Sequence, residues 1–237
     1  MNTINEPILK KGISKKIIHS ITPFTLLDYP GKTACILWFT GCNMRCSYCY
    51  NPEIVLGKGR YTFNDVRKFL LSRQGLLDAV VISGGECLLS DGIKDILAEI
   101  KSLGFLIKID TNGSRPDVLK HLIENQLVDY VALDFKATQS KIFWITKADF
   151  YSECLKSLKI LLSFDIAFEV RTTYHSDLLN ADDIREMVTI LDLNGFRGNY
   201  YIQPFRNGVE TIGTLGRSKI NFSLVDLTTE QLKIVLR

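Results

Sequence analysis

Three cysteines, Cys42, Cys46 and Cys49, fall within one short stretch in the order C-x3-C-x2-C. Thiolates are soft ligands, and three this close meet on one small object when the backbone wraps it as a loop. An iron–sulfur cluster suits that geometry. Zinc is the competitor, but a structural zinc site takes about four protein ligands, and His19, His121 and His175 are all distant in the sequence. Cys35, Cys87 and Cys154 lie far apart, which is not the spacing of a secreted disulfide framework. Three thiolates on a four-iron cube leave one iron open to a substrate or cofactor.

The elements that must position this loop follow from hydrophobic periodicity. Ala34–Phe39 reads as a strand feeding directly into it, and Thr62–Ser72 as a helix with Thr62 or Asn64 at its start. Strands and helices then alternate: strands at Ala79–Ser83, Phe105–Ile109, Tyr130–Asp134, Ala167–Thr172 and Tyr200–Gln203, helices at Gly92–Leu103, Asp117–Asn125, Tyr151–Leu162 and Ala181–Leu193. This alternation implies a parallel sheet with right-handed crossovers. About six strand–helix units are fewer than the eight of a full barrel, so the expected class is α/β, a partial, open TIM-type barrel. Residues 1–20 read as an arm, residues 21–237 as the core domain. The tail from Asn207 is expected to close the structure with one turn or strand and a final helix near Glu230 to Leu236.

In such a sheet, ligands sit at the carboxyl ends of the strands. The polar motifs fall there: the cysteines, Ser83-Gly84-Gly85-Glu86, Asp110-Thr111-Asn112-Gly113, Asp134-Phe135-Lys136, Arg171-Thr172 and Gln203. Glycines at 84 and 85 permit close backbone approach to a ligand. Glu86 is an acceptor for an ammonium group, Asp110 and Asn112 can bond ribose hydroxyls, and Arg171 can meet a carboxylate.

The cysteine loop resembles the radical S-adenosylmethionine (SAM) signature C-x3-C-x-aromatic-C, with Tyr48 as the aromatic. The stretches Leu27-Asp28-Tyr29-Pro30-Gly31-Lys32, Thr40-Gly41-Cys42-Asn43 and Tyr50-Asn51-Pro52-Glu53 look like the activating enzymes of glycyl-radical proteins, most of all those of anaerobic ribonucleoside-triphosphate reductase. The likeness runs over about residues 24 to 206. It implies a [4Fe–4S] cluster on Cys42, Cys46 and Cys49, with SAM beside Tyr48 and Tyr50. By the same resemblance Gly84, Gly85 and Glu86 meet the SAM amino group, Lys136 of the D-x-K motif meets its carboxylate with Asp134 orienting it, and Gln203 or Arg206 takes a polar role often given to histidine. Two departures stand out: Tyr50 where histidine frequently follows the third cysteine, and Cys87 after Gly-Gly-Glu, read here as packing. The implied partners are a glycyl-radical enzyme and a flavodoxin- or ferredoxin-like electron donor. A small-molecule radical SAM enzyme of the 7-carboxy-7-deazaguanine synthase type is the enzyme alternative. A non-catalytic iron–sulfur or zinc protein is the other.

Composition narrows the rest. Net charge of +3 is too small to argue for nucleic acid. No apolar run reaches the ~18 residues of a spanning helix, and the lysine-bearing N-terminus has no apolar signal core. The expected compartment is the cytoplasm.

Overall fold

The computed structural model describes residues 15–220, 228 and 232–237. Eight strands form one sheet in chain order: β1 (Ile18–Thr25), β2 (Ala34–Phe39), β3 (Ala79–Gly84), β4 (Leu106–Thr111), β5 (Tyr130–Asp134), β6 (Ala167–Tyr174), β7 (Gly198–Pro204) and β8 (Leu232–Leu236). β1 pairs antiparallel with β2, and all later neighbours pair in parallel. No pairing joins β8 to β1 among the described residues, so the sheet is an open barrel. The helices are α1 (Pro52–Leu56), α2 (Phe63–Leu71), α3 (Ile93–Ser102), α4 (Pro116–Glu124), α5 (Ile142–Thr146), α6 (Tyr151–Ser163) and α7 (Ala181–Leu193).

Local chemistry explains where the helices start. Thr62 and Asp65 form a reciprocal capping box at α2, and Asn180 and Asp183 another at α7. Pro116 opens α4, where its missing N–H costs nothing. Two sequence expectations are corrected. Ile18–Ser20, placed in the arm, already belong to β1. The expected final helix is instead strand β8, with Glu230 outside the described residues; Leu232 and Ile234 are buried and Lys233 between them is exposed, a period of two.

The same period of two sorts the whole sheet. Cys35, Leu37 and Phe39 of β2, Val80 and Ile82 of β3, and Ile107 and Ile109 of β4 belong to the large core packed with the helices. The alternate residues face into the barrel. Near the amino ends these are apolar: Ala34, Ile36, Ala79 and Val81, with Leu106 and Tyr130 against them. Tyr29 of the Asp-Tyr-Pro-Gly-Lys motif plugs this end, its ring 5.7 Å from that of Tyr130. Tyr29→Leu is expected to lower stability by about 1–2 kcal/mol through partial loss of this packing, measured by urea unfolding.

Candidate functional site

Further along the strands the inward positions turn polar. Trp38, Ser83, Asp110, Asp134, Arg171, Thr173 and Gln203, with Arg237 after β8, line a cavity of about 410 Å³ at the carboxyl ends. The cysteine loop forms another wall, and Cys42, Cys46, Tyr48, Cys49 and Tyr50 all line it. So do Gly84, Gly85, Asn112, Lys136 and Arg206. The cluster and SAM contacts expected from the sequence therefore reach one cavity, except Glu86.

Glu86 stands just outside the cavity lining. Its carboxylate is fully buried and accepts hydrogen bonds from Thr111 Oγ1 at 2.8 Å, the Asn112 amide at 2.7 Å and the Leu88 amide at 3.1 Å. Burial pushes its carboxyl up to about 7 against the pull of these donors. Its work is to join the end of β3 to the end of β4. The glycines are likewise explained by packing: a Cβ on Gly84 would stand 2.2 Å from the Phe39 carbonyl oxygen, and one on Gly85 1.9 Å from that of Gly41. The Gly85 amide donates to Phe39 O and the Glu86 amide to Gly41 O, both at 2.9 Å. The motif thus clamps the entry to the cysteine loop, while its backbone still borders the cavity.

Other straps hold the loop's shape. Arg45 N donates to Thr146 O at 2.7 Å and Ser47 N to Ile145 O at 3.0 Å, both at the end of α5. Ile212 N and Gly213 N donate to Cys49 O and Ser47 O, so the segment after β7 closes over the loop. Asn112 Nδ2 donates to Asn43 Oδ1 at 3.0 Å, and Asn112 Oδ1 accepts from the Ser114 amide. Asn112 is therefore occupied with ordering the loop. Tyr50 Oη accepts from the Arg206 amide at 2.7 Å and its ring stacks on Phe205, tying the loop to the end of β7. Cys87 is fully buried with its thiol 3.5 Å from Asp110 O, a packed position. His175, left unassigned by the sequence, is buried beyond β6. Its Nδ1 accepts from the Asp177 amide, so Nε2 donates to Gly216 O at 3.0 Å.

The cavity floor is a network of charges in which Lys108 and Glu169 are buried and Asp110, Asp134, Lys136 and Arg171 are partly buried. Arg171 reaches Asp134 at 2.6 Å, Asp110 at 3.3 Å and Glu169 at 3.9 Å. Lys108 pairs with Asp110 at 2.6 Å, Lys136 with Asp134 at 3.2 Å, and Arg237 grips Glu169 with both terminal nitrogens. Lys108, Glu169 and Arg237 were not singled out in the sequence. For Lys108 and Glu169 the signal was the alternation of charge at Lys108 and Asp110 and at Glu169 and Arg171, two residues apart within strands; Arg237 had none. Burial opposes the charge on Asp134, yet Arg171 and Lys136 hold its carboxyl down to about 2. Asp110 is lowered the same way by Arg171 and Lys108, again against burial. A depressed carboxylate contributes stability above its unfolded pKa of about 4 and loses it as pH falls through the folded value. Asp134 is therefore expected to contribute up to about 2 kcal/mol that disappears between about pH 4 and pH 2, seen as a falling urea midpoint across that range.

The donor set fits a cluster and a SAM-sized ligand. Six free cysteines are present, and only the loop trio lines the cavity. Burial raises the Cys42 thiol, and that of Cys46 to about 11, while Lys136 pulls both down; metal binding would displace their protons. Tyr48 Oη is buried with no hydrogen-bond partner. Among the described residues, the Gln203 amide and the Arg206 guanidinium also make no hydrogen bond, and both stand at the cavity. Lys136 is partly buried, which opposes its charge, yet Asp134 keeps it charged, with a pKa well above the usual lysine value.

Comparison with known proteins shows the family of the chain. The radical SAM superfamily model matches residues 36–193. A Methanocaldococcus jannaschii protein, provisionally named a glycyl-radical enzyme activating enzyme, is 34% identical over 203 residues, covering 81% of this chain and 80% of its own. The pyruvate formate-lyase-activating enzyme of Clostridium pasteurianum is 37% identical over 130 residues, 50% of this chain and 52% of that one. Streptococcus suis SuiB bound to SAM superposes with a TM-score of 0.63 at 16% identity, over 85% of this chain and 51% of that one, a likeness of fold. Superfamily members use a [4Fe–4S] cluster and SAM, for which this cavity supplies three thiols and a cationic wall. The chain is thus a radical SAM enzyme and belongs with the glycyl-radical enzyme activating enzymes.

Proposed function

We propose that this protein generates a glycyl radical on a partner enzyme, with anaerobic ribonucleoside-triphosphate reductase as the foremost candidate. The observation that carries the reading is one cavity lined by the cysteine trio together with the Asp134 and Lys136 pair. Cytoplasmic work with a low-potential electron donor goes with it. Among the described residues no helix is long and apolar enough to cross a membrane.

When bound, the cluster and SAM supply a 5′-deoxyadenosyl radical, the species that takes a hydrogen atom from glycine. The chain's own residues position and shield. Cys42, Cys46 and Cys49 hold the cluster. Lys136 turns from Asp134 toward the SAM carboxylate, a charge-assisted contact. Asp110 is already held by Lys108, Arg171 and Ser83 Oγ, so its part is to fix the floor. Gln203 and Arg206 retain free polar groups to meet SAM or the incoming peptide.

The test is anaerobic reconstitution with iron and sulfide, then dithionite and SAM, then candidate partners. Release of 5′-deoxyadenosine followed by a glycyl-radical electron paramagnetic resonance signal on the reductase is the expected outcome. A signal on pyruvate formate-lyase alone would reassign the partner. Cleavage with no signal on either protein would move the function to a small-molecule substrate. No SAM cleavage at all would sink the reading.

A further inference from the structure

The outside of the cysteine loop is covered by α5, a single helical turn that exposes its aromatic residues. Phe143 is 65% exposed and Trp144 51%, while Ile142, Ile145 and Thr146 are buried. Large exposed aromatics side by side are a marker of protein contact. Two cations belong to the same surface. Arg45 is exposed and donates to Cys42 O at 2.7 Å and Met44 O at 2.8 Å. Lys147 is exposed and caps α5 by donating to Trp144 O at 2.8 Å. Asp149 is an exposed carboxylate shortly beyond.

Position gives this surface its meaning. The carbonyls of Ile145 and Thr146 bond the amides of Ser47 and Arg45, the two neighbours of Cys46 in the chain. This short turn therefore packs directly against the peptide that carries Cys46. No residue of α5 lines the cavity, so a protein seated here would not compete for the site of SAM. Its aromatic centre suits a protein partner, and its cationic margin suits an acidic one.

We propose that Phe143, Trp144, Lys147 and Arg45 form the docking surface for an acidic, low-potential flavin electron carrier of the flavodoxin kind. The proposal rests on the radical SAM reading of the cysteine loop. One electron leaves the carrier's flavin hydroquinone, which becomes the semiquinone, and reduces the cluster by one electron. No bond to this chain forms or breaks, and any proton lost goes from the flavin to solvent.

The test compares the wild-type holoenzyme with Phe143→Ser/Trp144→Ser and with Lys147→Glu, using flavodoxin as the probe. Calorimetric titration is expected to show wild-type binding that weakens as salt shortens the range of charge attraction. Each variant is expected to bind about tenfold more weakly. SAM cleavage driven by flavodoxin hydroquinone should fall by a similar factor, while cleavage driven by dithionite stays at the wild-type rate. Thermal melts confirm that the variants fold. Equal affinity of wild type and variants for flavodoxin, or no binding by the wild type, overturns the proposal. So does a dithionite-driven assay in which cleavage persists but glycyl-radical formation drops, which would make this surface the protein substrate's. Failure of the enzymatic reading itself would appear differently, as no dithionite-driven cleavage in the wild type.

Discussion

Cys46→Ala is expected to reduce bound iron and sulfide to background after anaerobic reconstitution and to abolish 5′-deoxyadenosine release. The cavity wall contains just three thiols, and all come from one loop. Cys46 is the most enclosed of the trio in the buried core, flanked by the two amides that α5 holds. Its replacement would remove one of the three thiols at the part of the loop that α5 holds. The fold should survive, because the change deletes one sulfur atom from a protein whose main core lies between sheet and helices. Cys87→Ala is the matched control: that thiol is fully buried and packed against the carbonyls of Ile82 and Asp110. It should cost about 1 kcal/mol of stability and leave iron content unchanged. Iron retained together with SAM cleavage in Cys46→Ala would refute the ligand assignment.

Arg171→Leu is expected to destabilise the protein by about 3 kcal/mol, the lower end for breaking a buried ion pair. The guanidinium spans three strands, since it touches Asp110 of β4, Asp134 of β5 and Glu169 of its own β6. The cost stays at the lower end because each carboxylate keeps a cation: Lys108 for Asp110, Lys136 for Asp134 and Arg237 for Glu169. The redistribution has a functional consequence. Without Arg171, Lys136 becomes the sole close cation of Asp134 among the described residues, and less of its charge is available to a ligand carboxylate. SAM affinity should therefore fall along with stability. The acid transition should also move to higher pH, because the Asp134 carboxyl loses the cation that chiefly counters its burial. Arg171→Lys should recover part of the stability but not the bridge, since an ammonium is a point charge and lacks the planar fork. Urea unfolding against pH, with SAM binding on the same samples, checks all of these. Unchanged SAM affinity in Arg171→Leu would show that the network is structural only.

The sequence by itself determined the strand–helix alternation, because apolar periodicity and capping are local. Tyr130–Asp134 and Ala181–Leu193 are read with their observed bounds. It also determined the cysteine trio and the rim motifs, since parallel strands must end on one rim and chemistry gathers there. β1 and β8 were not legible. An edge strand is defined by the partner it pairs with, and neither Ile18–Thr25 nor Leu232–Leu236 carries a turn signal that names one. α5 was missed because five residues are too few to show a helical period.

Tertiary structure alone decided how the polar residues divide their work. Glu86, Asn112, Gly84 and Gly85 read as ligand contacts from their types, yet the fold commits the two side chains to ordering the β4 end and the loop, and the two glycines to backbone packing against β2 and the loop. Arg237 enters the cavity only because β8 pairs in parallel with β7. The reason is that a buried hydrogen-bonding group takes whichever partner the fold brings within reach, and an unpaired one is costly. Which partner that is depends on strand register between residues far apart in the chain, and no local pattern records it.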